Sequence, residues 1–258
     1  DAAFNHYRLN DVASFIYDFV WSEYCDWYLE FNKTRLQLDD VQTRETAQAV
    51  AVHVLRGILA LIHPFAPHIS EELWQYVKRD GEPDLIVAPY PDPGQREYVD
   101  YDIEQDITVL QQVITSIRSI RADMGVDPGK RANLSVRCPD KDAGFILEQI
   151  SYLRRLAKVD EVEAGPNVTK PPHAATAVVE ALELFIPLEG LIDLEVERER
   201  LLKRIHEMEG RLAGVQNKLD NEAFLQRAPA EVVAHEREKQ SAYQDRLNKL
   251  KENYQALV

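Results

Sequence analysis

Residues 218–236 read KLDNEAFLQRAPAEVVAHE, and they interrupt a regular rhythm. Before them, Leu201, Ile205, Met208, Leu212, Val215 and Leu219 step by four, three, four, three, four. After them, Tyr243, Leu247, Leu250, Tyr254 and Leu257 resume the same alternation. Alternating spacing of this kind puts one narrow apolar seam on each helix, the pattern of a coiled coil. A lone helix cannot bury such a seam, and the nearest partner is the next segment of the same chain. Within the interruption, Asp220 or Asn221 can cap and turn, Phe224 and Leu225 can close a tip, and Pro229 suits the first turn of a returning helix. The stretch therefore reads as the apex of an antiparallel two-helix coiled-coil arm over residues 191–258. At about 1.5 Å per residue, each leg reaches on the order of 40 Å from a globular body. The competing reading is a protein-interaction module whose heptads pair with another chain; the turn argues against it.

Working toward the N-terminus, residues 127–190 read as a small α/β unit. NLSVRC (133–138) has strand character, DAGFILEQISYLRRLAKV (142–159) helical character, and DEVEA (160–164), ATAVVE (175–180) and LELFIPL (182–188) strand character. A hairpin turn falls near Glu180-Ala181. Residues 1–126 are helical apart from a proline-rich loop over 80–100. An aromatic-rich helix contains Trp21, Tyr24, Trp27 and Tyr28; one over 43–62 ends at His63-Pro64 and Ala66-Pro67; one over 101–123 buries Leu110, Val113, Ile114, Ile117 and Ile120. Ser70 has the character of an N-cap, with Ile69 and Trp74 as a hydrophobic staple. The fold class is mainly α: a helical bundle, a small α/β unit, then the arm.

The chain has 258 residues and a formal net charge of −14, which opposes encounter with polyphosphate. The charge is uneven. Residues 111–138 hold five basic side chains, Arg118, Arg121, Lys130, Arg131 and Arg137, against Asp123 and Asp127. Residues 190–258 nearly balance at 12 basic and 13 acidic, yet Arg204, Arg211 and Lys218 recur every seven and line one side of a heptad helix. Both sets are candidate phosphate contacts. The aromatic run could stack on bases, but its helical spacing favours packing in a core. The absence of an initiator Met suggests a piece of something larger. No apolar run is read as approaching the ~18 residues that span a bilayer. Cys25 and Cys138, far apart, read as reduced core thiols of a cytoplasmic protein.

No catalytic constellation is evident. Phosphate loops, H-E-x-x-H and paired C-x-x-C are all missing, and His63 and His68 lack a third metal ligand nearby.

Several stretches resemble the bacterial-type valyl-tRNA synthetases, members of class Ia, in their C-terminal part. They are RLNDVASFIYDFVWSEYCDWYLEFNK, LIHPFAPHISEELWQ, ITSIRSIRADMGVDPGKR, FIPLEGLIDLEVERERLLKRI and KLDNEAFLQRAPAEVVAHEREK. The first two are shared more loosely with the isoleucyl and leucyl enzymes; the last two are specific to the valyl enzyme. The resemblance implies an anticodon-binding helical domain over residues 1–126 and a terminal arm that reaches the outer corner of valine tRNA. It further implies ATP, catalysis and editing in domains outside this sequence, whose HIGH-like and KMSKS-like signatures do not occur here; the folded-back arm goes with a monomer. No cofactor is expected for this stretch itself. Charge and helical phase, rather than the resemblance, select Arg118, Arg121, Lys130 and Arg131 for the anticodon stem–loop, and Arg204, Arg211 and Lys218 for the corner.

Overall fold

A computed structural model describes residues 6–91 and 99–258; the beginning of the first expected helix and part of the proline-rich loop lie outside the described residues. The chain is mainly helical and divides into two compact units, Asp1–Ile107 and Thr108–Val258.

In the first unit, α1 (Leu9–Asp18), a π-helical stretch (Phe19–Tyr28) and α2 (Leu29–Leu36) follow one another without a break. α3 (Val41–Ile62) and α4 (Pro67–Val77) complete the bundle, and α3 packs against α1, α2 and α4. α3 returns antiparallel to the first rod: Tyr24 Oη donates to the Ala51 carbonyl at 3.5 Å and Asn32 Nδ2 to the Ala47 carbonyl at 3.4 Å. Leu59, Ala60, Trp74 and Leu85 form a core cluster, with Leu55, Ile62, Val77 and Ala88 against it. Arg56 stacks over Trp74, 4.5 Å from its ring centre, while donating to the Val77 carbonyl and to Glu82.

Three local expectations are corrected. Ser70 is not an N-cap: α4 starts at Pro67, whose missing N–H costs nothing at a first helical position. Ser70 is buried one turn in; its Oγ donates to the Ala66 carbonyl and meets His63 Nδ1 at 2.8 Å. The aromatic run is wound as a π-helix, and only Tyr24 of its four aromatics is buried; Trp21 is 58% exposed. Finally, α3 is long and apolar enough to cross a membrane by length and composition alone, contrary to the reading that no run approaches that length.

The second unit begins within α5 (Tyr101–Asp123), whose Leu110, Val113, Ile114 and Ile117 are fully buried. β1 (Ala132–Arg137), α6 (Asp140–Glu148), α7 (Ile150–Leu156), β2 (Val159–Gly165), β3 (Ala174–Val179) and β4 (Leu182–Pro187) follow. The helix expected over 142–159 is thus two, parted at Gln149. The four strands lie in the order β2-β1-β4-β3; β1 runs parallel to β2 and antiparallel to β4. Two helices in the β1–β2 crossover pack on β2, as a parallel pair requires. β3 and β4 are joined through Glu180, whose φ of +50° suits a tight two-residue turn. Phe185 of β4 is buried with Val168 and Ala174, and the Arg137 guanidinium lies 5.3 Å from its ring centre.

α8 (Leu194–Leu219), α9 (Glu222–Arg227) and α10 (Ala230–Gln255) end the chain. Asp193 caps α8 by accepting from the Glu195 and Val196 N–H groups. α8 and α10 pack antiparallel. Arg198 binds the Leu257 carbonyl at one end, Gln240 meets Gln216 farther along, and Lys218 pairs with Glu236 toward the other end. Leu201, Ile205, Met208 and Val215 of α8 are buried, as are Leu247 and Leu250 of α10 and Leu257 beyond it. The interruption at 218–236 adds a short helix of its own, with Asn221 Oδ1 accepting from the Phe224 N–H at 3.3 Å. Pro229 stands at the N-cap of α10, one position ahead of the first turn.

Candidate nucleic-acid interface

The two sets of cations selected by charge meet different surroundings. Arg118, Arg121, Lys130 and Arg131 come together around the turn that joins α5 to β1, residues 124–131, and all four spend donors on backbone carbonyls. Arg118 Nε donates to the Leu156 carbonyl at 2.8 Å. Arg131 Nη1 donates to the carbonyls of Arg154 and Val159 at 3.0 and 3.1 Å. Lys130 Nζ donates to those of Gly190 and Leu191, each at 2.9 Å. These contacts tie the turn to the end of α7, the start of β2 and the entry to α8.

Arg121 differs from the other three. Its side chain is turned inward, only 7% of the residue is exposed, and Nη2 donates to the carbonyls of Asp127 and Lys130 at 3.2 and 2.8 Å. Burial lowers its pKa from the ordinary value, and the Asp127 carboxylate offsets part of that shift. It stays a cation all the same, since a guanidinium does not lose its proton in proteins. Its work is to hold the 124–130 turn. Gly125 fits there at φ +61°, a conformation other residues rarely adopt. Arg118, Lys130 and Arg131 remain exposed at the surface.

On α8 the heptad phase puts Arg204, Arg211 and Lys218 on the flank of the buried seam, where coiled coils carry charge. Lys218 pairs across the hairpin with Glu236, Nζ to Oε2 3.5 Å. Lys239 also pairs with Glu236, at 3.0 Å. Arg204 and Arg211 make no ion pair with any described residue; Arg211 is exposed and Arg204 half-buried. The flank thus leaves two guanidinium groups for an outside anion. Among the described residues, no group of three or more His, Cys, Asp or Glu side chains converges as a metal site would require.

Charge counting missed one residue of consequence. Asp123, tallied only as an acid opposing the basic patch, receives contacts from both legs of the hairpin: Arg200 at its carbonyl and Lys249 at its carboxylate. Nothing in local spacing signals this, because the partners lie 77 residues away or more.

Residues 1–136 match the family described as the anticodon-binding domain of tRNA ligase, and residues 193–258 match the valyl tRNA synthetase tRNA binding arm. The second match begins at the N-cap of α8 and covers the hairpin. The chain is 35% identical over 252 residues to a valine–tRNA ligase of Listeria monocytogenes, covering 97% of this chain and 28% of that protein. It is 38% identical over 240 residues to the valine–tRNA ligase of Geobacter sulfurreducens, covering 92% and 27%. With that of Francisella tularensis the identity is 36% over 258 residues, covering 98% and 28%. The chain therefore spans less than a third of the length of these relatives. With an anticodon-binding match ahead of an arm match, and relatives of one kind along nearly its whole length, the chain belongs to the valyl-tRNA synthetase family and corresponds to the C-terminal part of its members.

Proposed function

We propose that this chain is the tRNA-gripping part of a cytoplasmic, monomeric valine–tRNA ligase. The helices of residues 1–126 hold the anticodon region of valine tRNA, residues 127–190 form a junction, and residues 191–258 act as a coiled-coil arm against the outer corner. The observation that carries this reading is the order of the two family matches, anticodon-binding first and tRNA binding arm second, on a hairpin whose Arg204 and Arg211 make no ion pair with a described residue.

The physics favours two grips. Unstacked anticodon bases can be read at their edges, whereas phosphate contacts position an RNA without reading it. Two weak contacts on one rigid RNA reinforce one another through effective concentration. Arg204 and Arg211 lead on the arm, with Lys218 beside them; Arg118, Lys130 and Arg131 serve the stem–loop side, and Arg121 supports them by fixing their turn. Attachment of valine at the expense of ATP belongs to the longer protein.

A gel shift of the 258-residue chain with valine tRNA and with an anticodon-swapped tRNA, at two salt concentrations, tests the proposal. The expected result is tighter retention of valine tRNA and a steep loss with salt. Equal retention of the two tRNAs overturns the anticodon role, and salt-insensitive retention overturns the phosphate role.

A further inference from the structure

Both legs of the hairpin are fastened to one residue, the last of α5. From α8, Arg200 Nη2 donates to the Asp123 carbonyl at 3.1 Å. From α10, Lys249 Nζ pairs with Asp123 Oδ2 at 2.8 Å. The two contacts use different atoms of Asp123, so neither displaces the other. Arg200 is itself oriented by the buried Glu197, Nη2 to Oε1 2.6 Å. The Arg200 guanidinium lies beside the turn beyond Asp123: an added Cβ at Gly125 would stand 3.6 Å from its Nη2, an ordinary contact distance. Lys130 holds the Gly190 and Leu191 carbonyls just ahead of α8, at 2.9 Å each.

We infer that Asp123 is a positioning residue: by receiving one contact from each leg, it sets the direction in which the hairpin leaves α5. This rests on the tRNA-binding reading above in one respect, that the direction decides where on the RNA the Arg204–Arg211 flank arrives. From the anchor at Arg200, Arg211 lies about 16 Å along α8 and the apex about 28 Å, so a swing of about 10° there moves Arg211 by about 3 Å and the apex by about 5 Å. A shift of about 3 Å is the length of a hydrogen bond, enough to break a contact at Arg211. The Asp123–Lys249 pair is partly exposed, with side-chain accessibilities of 36% and 57%. Pairs of that kind are weak and screened by salt, so the anchor orients the hairpin without locking it.

The test uses the 258-residue chain with Cys25→Ser and Cys138→Ala, spin-labelled at Gln112→Cys on α5 and Asn217→Cys on α8. The expected distance distribution is narrow, broadens in Asp123→Lys and to a lesser degree in Asp123→Asn, and narrows again in the charge swap Asp123→Lys/Lys249→Asp. Melting temperatures should stay within a few degrees of each other, which separates orientation from folding. Affinity for valine tRNA should fall about three- to tenfold in Asp123→Lys and recover in the swap. An unchanged distribution in Asp123→Lys, or a swap that fails to restore it, overturns the inference. If the distances respond as stated while the chain binds no tRNA with its native Asp123, the anchor stands and the reading of the site as a tRNA surface falls.

Discussion

Lys218 on α8 and Glu236 on α10 face one another near the apex of the hairpin, Nζ 3.5 Å from Oε2, and the carboxylate is almost wholly buried. The hydrogen bond from Lys239 is the chief reason that the Glu236 carboxyl is held below its ordinary pKa; burial opposes this, and Lys218 adds a further lowering. A carboxylate with a lowered folded-state pKa contributes stability above its unfolded-state value, and that contribution fades as pH falls through the folded-state value. The hairpin should therefore be constant in stability from neutral pH down to about pH 5 and weaken below the usual carboxylate range. Thermal unfolding followed by circular dichroism at a series of pH values checks this. Glu236→Gln should flatten the acid limb of the curve.

Charge reversal on the arm flank separates electrostatic contact from mere solvation. In the Arg204→Glu/Arg211→Glu variant, affinity for valine tRNA should drop and its logarithm should depend less steeply on the logarithm of salt. The slope should fall by about 1.4 to 1.8, since each of two phosphates neutralised contributes roughly 0.7 to 0.9. Filter binding across a salt series measures it, and an unchanged slope removes the flank from the binding surface.

Leu201 sits in the hairpin seam with no exposed surface, so truncating it leaves a cavity. Leu201→Ala should destabilise the second unit by about 2 to 5 kcal/mol, read as a shift in the urea midpoint. Leu202, on the outer side and 41% exposed, gives the contrast: Leu202→Ala should move the midpoint much less.

Arg121→Met removes the donor that holds the Asp127 and Lys130 carbonyls while preserving most of the apolar stem. Loss of about 1 to 3 kcal/mol is expected, because buried acceptors are left unpaired. Hydrogen exchange should show the 124–131 turn opening faster while the hairpin apex is unchanged.

The Cys138 thiol is buried, and its pKa is raised by that burial and by the nearby Asp142. It should resist alkylation at neutral pH until the protein is unfolded, a result that mass spectrometry after pulse labelling resolves residue by residue.

The elements most legible in the sequence are those with strong periodicity or turn chemistry. The heptads from Leu201 to Leu257 announce two helices and a fold-back, and Glu180-Ala181 between two apolar runs announces the tight β-turn. The π-winding of Phe19–Tyr28 is not legible, because composition and spacing there suit any right-handed helix. Ser70 misled because a good capping residue stood three places after Pro67, which was the better start signal. The cationic cluster is legible as charge but not as geometry. Arg118, Lys130 and Arg131 find carbonyl partners up to 61 residues away, which charge counting cannot show, and only Arg121 finds its acceptors within the turn at 124–131.

One of the two inner strands of the sheet has a bearing on biosynthesis. β1 lies between β2 and β4, so the ribosome delivers it long before its second neighbour, residues 182–187, exists. Until then one edge of β1 is bare, and a nascent chain with a bare apolar edge is prone to stick to others. The hairpin needs only local pairing once it has emerged, so the sheet, unlike the hairpin, must wait for a distant segment of the chain.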